Sequence, residues 1–220
     1  MLAGCGGPFS TLDPQGPAAE RVAILWWVML AGATMLTIMV MAMVAIGFRR
    51  PVARQPGGRF WTHGLGVGFT LTVLVALVGA GLWAGERQQP HPVTPGQGPP
   101  VMRVEAIARQ WEWRFRQPDA EGRMVETRDR LHIPAGRPVD VVITTQDVIH
   151  SFWVPKLAGK MDAIPGRPNL LRLEANQPGI YRGRSAEFSG PGYAGMQFEV
   201  LAYPPAAPPV FSPLAAEDGP

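Results

Sequence analysis

The chain of 220 residues contains a single cysteine, Cys5. An intrachain disulfide is therefore excluded, and so is any site that needs two cysteine thiolates from this chain. Charge is missing from two long stretches, Ala23–Gly47 and Leu65–Ala84, which run 25 and 20 residues without one Asp, Glu, Lys or Arg. About 20 apolar helical residues cross a bilayer core, and a soluble helix of that length carries charge on its outer face. One ordinary soluble globule is thus ruled out. Acid is missing between Arg49 and Gly85, where Arg49, Arg50, Arg54 and Arg59 stand alone. A strong basic excess is also lacking: the net charge is +3, and residues 101–203 hold 14 basic against 12 acidic side chains. A nucleic-acid partner is not expected, because a binder concentrates positive charge on its exposed domain.

What is present divides the chain into five parts. Residues 1–22 read as an extracytoplasmic N-terminal tether, residues 23–84 as a transmembrane helical hairpin and 85–100 as a Pro/Gly linker. Residues 101–203 make one domain, and 204–220 a Pro-rich tail. The arginines between the spans place that loop in the cytoplasm, with the N-terminus and the large domain outside. Leu2-Ala3-Gly4-Cys5 is similar to the lipobox of bacterial lipoproteins, so lipidation at Cys5 is an expectation. Met29, Met35, Met39, Met41 and Met43 crowd the first span. With no His or Cys beside them they read as packing residues rather than as a copper relay. His63 reads as a residue at headgroup depth.

Within 101–203 the pattern has period two. Val139, Val141 and Ile143 alternate with Asp140, Val142 and Thr144, and Met196, Phe198 and Val200 with Gln197, Glu199 and Leu201. Leu171, Leu173 and Ala175 alternate with Arg172 and Glu174. Turn residues at Pro134–Gly136, Pro165–Gly166 and Pro178–Gly179 punctuate these runs. The pattern predicts half-buried strands in an all-β sandwich or barrel.

Four blocks in order carry a resemblance. They are Gln110-Trp111-Glu112-Trp113, His150-Ser151-Phe152-Trp153-Val154-Pro155, Lys160 to Gly166, and Ser185-Ala186-Glu187-Phe188-Ser189-Gly190 with Tyr193 and Met196. Behind two spans, these blocks resemble subunit II of the haem-copper respiratory oxidases. The resemblance implies a two-helix transmembrane hairpin followed by an all-β cupredoxin-like Greek-key sandwich. It also implies a bacterial inner-membrane location with the domain on the periplasmic side. In copper-bearing members the blocks build the dinuclear centre CuA, through a His before Ser-Phe and a Cys-x-Glu-x-Cys-x3-His-x2-Met pattern. The corresponding positions here are His150, Ser185, Glu187, Ser189, Tyr193 and Met196. Both bridging cysteines are serine and the second histidine is tyrosine, so the site is expected to be metal-free.

Serine and an aromatic at those positions are similar to subunit II of bacterial quinol oxidases. That resemblance implies a non-catalytic subunit that binds no cofactor alone. It would pack on subunit I, which holds the haems and CuB and takes electrons from quinol, with subunit III and lipid as further neighbours. Glu187 corresponds to a carboxylate that helps hold a shared Mg²⁺ at the subunit I interface. Its plain alternative is a pair with Arg184 or with an arginine of subunit I. Trp111 corresponds to the aromatic that receives electrons from cytochrome c; with no copper behind it, Trp111, Trp113 and Trp153 are expected to be structural. Asp162 similarly resembles a residue near the donor-docking surface. An accessory subunit of a quinol-fed nitric oxide reductase and a CuA-less cytochrome c oxidase subunit are the alternatives.

Overall fold

The computed structural model describes residues 6–49, 57–88 and 101–207. Cys5, Arg50, Arg54 and most of the expected linker and tail lie outside them. The chain divides into two compact units, one of residues 1–25 with 92–220 and one of residues 26–91.

The first helix, α1 (Pro17–Arg49), starts six residues before the charge-free stretch, and its residues from Trp26 onward belong to the helical unit. Pro17 stands at the first helical position, where its missing N–H costs nothing. The second span begins with a π-helical segment, Phe60–Phe69, that runs directly into α2 (Thr70–Gln88). The helix thus continues through Gln88, where composition predicted an irregular linker from residue 85. Hydropathy measures only apolar length; it cannot see a helix that persists into Gly-Glu-Arg-Gln. Both helices expose their apolar side chains, among them Met29, Ile38, Val44, Leu74 and Leu82. Such surfaces need lipid or other helices around them.

The unit that includes residues 92–220 holds a sandwich of two five-stranded sheets. The first sheet has the order β3-β2-β1-β5-β8. Its strands are β1 (Met102–Arg109), β2 (Glu112–Pro118), β3 (Met124–Arg128), β5 (Val139–Thr145) and β8 (Asn169–Leu173). The second has the order β4-β10-β9-β6-β7. It is built from β4 (Arg130–Pro134), β6 (His150–Trp153), β7 (Met161–Ala163), β9 (Gly179–Ser185) and β10 (Gln197–Tyr203). The β1–β5 and β4–β10 pairs are parallel, and the other neighbouring strands run antiparallel. The period-two runs supply the interior: Val139, Val141 and Ile143 from one sheet, and Phe198 and Val200 from the other, are fully or nearly fully buried. The two membrane-type helices and the cupredoxin-like sandwich expected from the sequence are both present.

Part of the stretch read from the sequence as a tether lies against the sandwich. Gln15 and Ala19 are bonded to it through their backbone, and Ala19 is buried. Gly- and Pro-rich sequence lowers local order, but it also lets a backbone approach another closely.

At one edge a polar side chain ties the two sheets. Gln117 of β2 is fully buried; its Oε1 accepts the His132 N–H at 2.7 Å, and its Nε2 donates to Thr127 Oγ1 at 2.8 Å. Burial, with a smaller push from Arg130, lowers the His132 pKa to about 4. The unfolded chain therefore takes up a proton at this ring near pH 6.5, which the folded chain refuses until about pH 4. Stability contributed by the neutral ring is lost as pH falls through that window. Because His132 is only partly buried, solvent screening reduces the effect to about 1 kcal/mol between pH 7 and pH 5. Chemical denaturation of the chain at the two pH values should show this loss, and His132→Gln should flatten it.

Candidate functional site

The site lies at one end of the sandwich, where three connections meet: the β1–β2 turn, the β5–β6 loop and the loop from β9 to β10. The last loop carries Glu187, Ser189, Tyr193 and Met196, and it closes through a short 3₁₀ turn, Tyr193–Gly195. It is laced to β6 and β9. The Ser185 N–H donates to the Met196 carbonyl at 2.9 Å, and the Ala186 N–H to the Ser151 carbonyl at 3.0 Å.

The structure places the six positions of the copper pattern as follows. His150, Ser185, Ser189 and Met196 are buried, whereas Glu187 and Tyr193 are partly exposed. Ser185 Oγ accepts the Ser151 N–H at 3.4 Å. Ser189 Oγ has no hydrogen-bond partner among the described residues, so the two serines do not satisfy each other. The loop is held instead through the Ser189 carbonyl, which accepts from Gln110 Nε2 at 2.8 Å and from Trp111 Nε1 at 3.1 Å. Tyr193 turns its ring edge-on to Phe188, with centroids 5.2 Å apart.

Glu187 does not pair with Arg184. Its carboxylate lies 3.8 Å from Lys160 Nζ, which is also 3.8 Å from Asp162. Asp162 in turn accepts a 2.8 Å bond from Ser151 Oγ. Trp111 is 43% exposed and lies across the loop's glycines, where a Cβ on Gly192 would stand 2.3 Å from the indole. Only glycine permits so close a seat. Trp113 is fully buried in the core, and Trp153 is half-buried at the end of β6.

One organising residue was not singled out in the sequence. Asp147 Oδ1 lies 2.8 Å from His150 Nε2 and accepts the Val148 N–H at 2.6 Å, while Oδ2 accepts the Gln110 N–H at 2.7 Å. Burial opposes ionisation of this carboxyl, but those bonds, with one from Thr145, outweigh it and hold the pKa below the usual carboxylate value. A carboxylate can only accept, so Nε2 of His150 carries the proton and the ring is fixed in orientation. Its Nδ1 has no partner among the described residues. The sequence signal was an acid three residues before the histidine, too common a pattern to single out.

The donor set does not fit a dinuclear copper centre. Such a centre needs soft thiolate bridges, and two serine hydroxyls offer only neutral oxygen. Among the described residues, no three His, Cys, Asp or Glu side chains gather at metal-binding distance. Structurally the arrangement is a hydrogen-bonded loop around an oriented histidine.

Residues 118–202 match the family of the cytochrome c oxidase subunit II periplasmic domain. Among curated relatives, cytochrome c oxidase subunit 2 of Alkalihalophilus pseudofirmus is 30% identical over 92% of this chain and 61% of that protein. Quinol oxidase subunit 2 of Bacillus cereus is 29% identical, over 92% of this chain and 71% of its own length. Ubiquinol oxidase subunit 2 of Acetobacter aceti is 30% identical, over 92% and 67%. The chain thus spans about three-fifths to seven-tenths of these relatives. Among solved structures, the periplasmic domain of cytochrome oxidase subunit II from Bradyrhizobium japonicum is similar, at 26% identity. It covers 49% of this chain and 88% of that one with a TM-score of 0.45. Two apolar helices anchor the chain in a membrane, its sandwich is the family's periplasmic domain, and sequence identity extends over both. The chain belongs to the subunit II family of the cytochrome c and quinol oxidases.

Proposed function

We propose that this chain is a non-catalytic subunit II of a terminal haem-copper quinol oxidase, which passes electrons from quinol to O₂ and couples the reaction to proton translocation. The observation that carries this reading is the rebuilt loop. Ser185, Ser189 and Tyr193 stand at the copper-ligand positions, and hydrogen bonds from Gln110 and Trp111 hold the loop. Relatives named as quinol oxidase subunits support it. No electron step runs through this chain. Its own residues act by position: the helices offer apolar faces to subunit I and lipid, and the sandwich caps the periplasmic side. The haems and CuB belong to subunit I, and subunit III completes the assembly. Glu187, half-exposed beside Lys160, is the residue that would contribute to a shared Mg²⁺, a hard cation suited to carboxylate oxygen.

The test is O₂ uptake by the intact complex purified in mild detergent, with quinol and with reduced cytochrome c, alongside copper per complex. Quinol-driven uptake and a single copper are expected. Uptake driven by cytochrome c, or extra copper that follows this subunit, would overturn the reading. Reduction of NO in place of O₂ would move the chain to the nitric oxide reductases.

A further inference from the structure

Residues 13–19 lie against the sandwich as a strap, in front of the first membrane helix. The Gln15 N–H donates to the Lys156 carbonyl at 2.7 Å, and the Asn176 N–H returns a bond to the Gln15 carbonyl at 2.8 Å. One turn further on, the Ala19 N–H donates to the Leu157 carbonyl at 3.2 Å. Lys156 Nζ meets Asp13 Oδ2 at 2.6 Å, and this pairing, with a bond from Gln15, lowers the Asp13 pKa. Further upstream, Phe9 lies 5.5 Å from the Arg184 guanidinium carbon.

Gly16 sits at the centre. A Cβ there would stand 2.3 Å from the Glu174 carbonyl oxygen and 2.9 Å from that of Leu157. Both obstacles are backbone, so no side-chain rotation relieves them. The receiving surface is made by two connections of the sandwich, residues 154–158 after β6 and 174–177 after β8. It accepts a segment of this chain through main-chain bonds of Gln15 and Ala19, and a central glycine allows the contact.

We infer that this surface is a second, non-covalent attachment of the periplasmic domain to the membrane anchor, independent of the covalent connection through residues 89–100. The strap runs without a break into α1, since Ala19 is itself a helical residue. The domain is therefore held by the residues that lead into the first span as well as by the connection that leaves the second. The exposed Asp13–Lys156 pair adds little by itself, as surface ion pairs contribute about 0–1 kcal/mol. The main-chain bonds and the close seat of Gly16 carry the attachment.

The experiment uses the full chain in detergent with a protease site inserted between residues 89 and 100 and an affinity tag on the N-terminal side. After complete cleavage, the sandwich fragment is expected to stay with the helical fragment through size exclusion and tag capture. Gly16→Ala should release it at least tenfold faster, and Lys156→Ala should have a smaller, salt-sensitive effect. Immediate release of the wild-type domain on cleavage would overturn the inference, and so would equal retention in Gly16→Ala. Hydrogen exchange on the uncleaved chain gives an answer even if a variant folds poorly. The amides of Gln15, Ala19 and Asn176 should be protected in the wild type, and exchange at unprotected rates would equally sink the idea.

Discussion

Trp113→Ala is expected to lower the unfolding free energy of the sandwich by about 3–5 kcal/mol, the range for removing a large aromatic from a packed core. The indole is fully buried. It comes from β2 of one sheet and faces Phe152 of β6 and Phe198 of β10 in the other, with ring centroids at 5.4 and 5.6 Å. Phe115 stacks beside it at 6.4 Å, and the His150 ring lies edge-on at the same separation. Removing the indole leaves a cavity between the sheets that the three surrounding phenylalanines cannot fill from their strands. Its backbone is fixed as well: the Trp113 N–H donates to Asp129 Oδ1 at 2.8 Å. Trp113→Phe keeps most of the apolar volume and removes an indole N–H that has no acceptor among the described residues, so its loss should be below half that of the alanine variant. Denaturant titration read by hydrogen exchange of the sandwich amides measures both. A loss under about 1 kcal/mol for Trp113→Ala would show that the interior repacks around the gap.

Much of this architecture was legible from particular residues. The charge-free runs marked both spans, and alternation in Val139–Thr144 and Met196–Leu201 marked strands whose buried faces are as expected. Four ordered blocks pointed to the loops at one end of the sandwich where Ser185, Ser189 and Tyr193 stand. Other features depend on partners remote in sequence and left no local signal. The strap is one: its residues read only as a tether, because what they rest on is the backbone of residues 156, 157, 174 and 176. The Glu187 partner is another, since Arg184 is near in sequence while Lys160 is near in space. The π-helical opening of the second span is a third, because apolar composition is indifferent to hydrogen-bond spacing. Gln117 shows the same limit, as a glutamine in a strand gives no sign that it will bridge two sheets.

Asp147 is the clearest case of a residue whose importance exists only in three dimensions, and Asp147→Ala should cost about 2–4 kcal/mol. Hydrogen bonds to a charged acceptor contribute about 1.5–3 kcal/mol, and a buried donor left without its acceptor costs about 1–3 kcal/mol. The substitution does both: it strands His150 Nε2–H in the interior and frees the amides of Gln110 and Val148. Gln110 then transmits the loss, because its side chain and the neighbouring Trp111 hold the Ser189 carbonyl. Asp147→Asn should be milder but not silent. Asn keeps one acceptor oxygen and replaces the other by an amide, so either His150 and Val148 or Gln110 must face a donor. The pH dependence provides an independent check. Because the folded carboxyl titrates below its unfolded value, its stabilisation is complete above about pH 4 and is lost as pH falls through the folded pKa. The gap in unfolding free energy between wild type and Asp147→Ala should therefore be constant from pH 5 to 7 and narrow in stronger acid. A gap that stayed unchanged in strong acid would mean that the aspartate acts through packing and not through its charge.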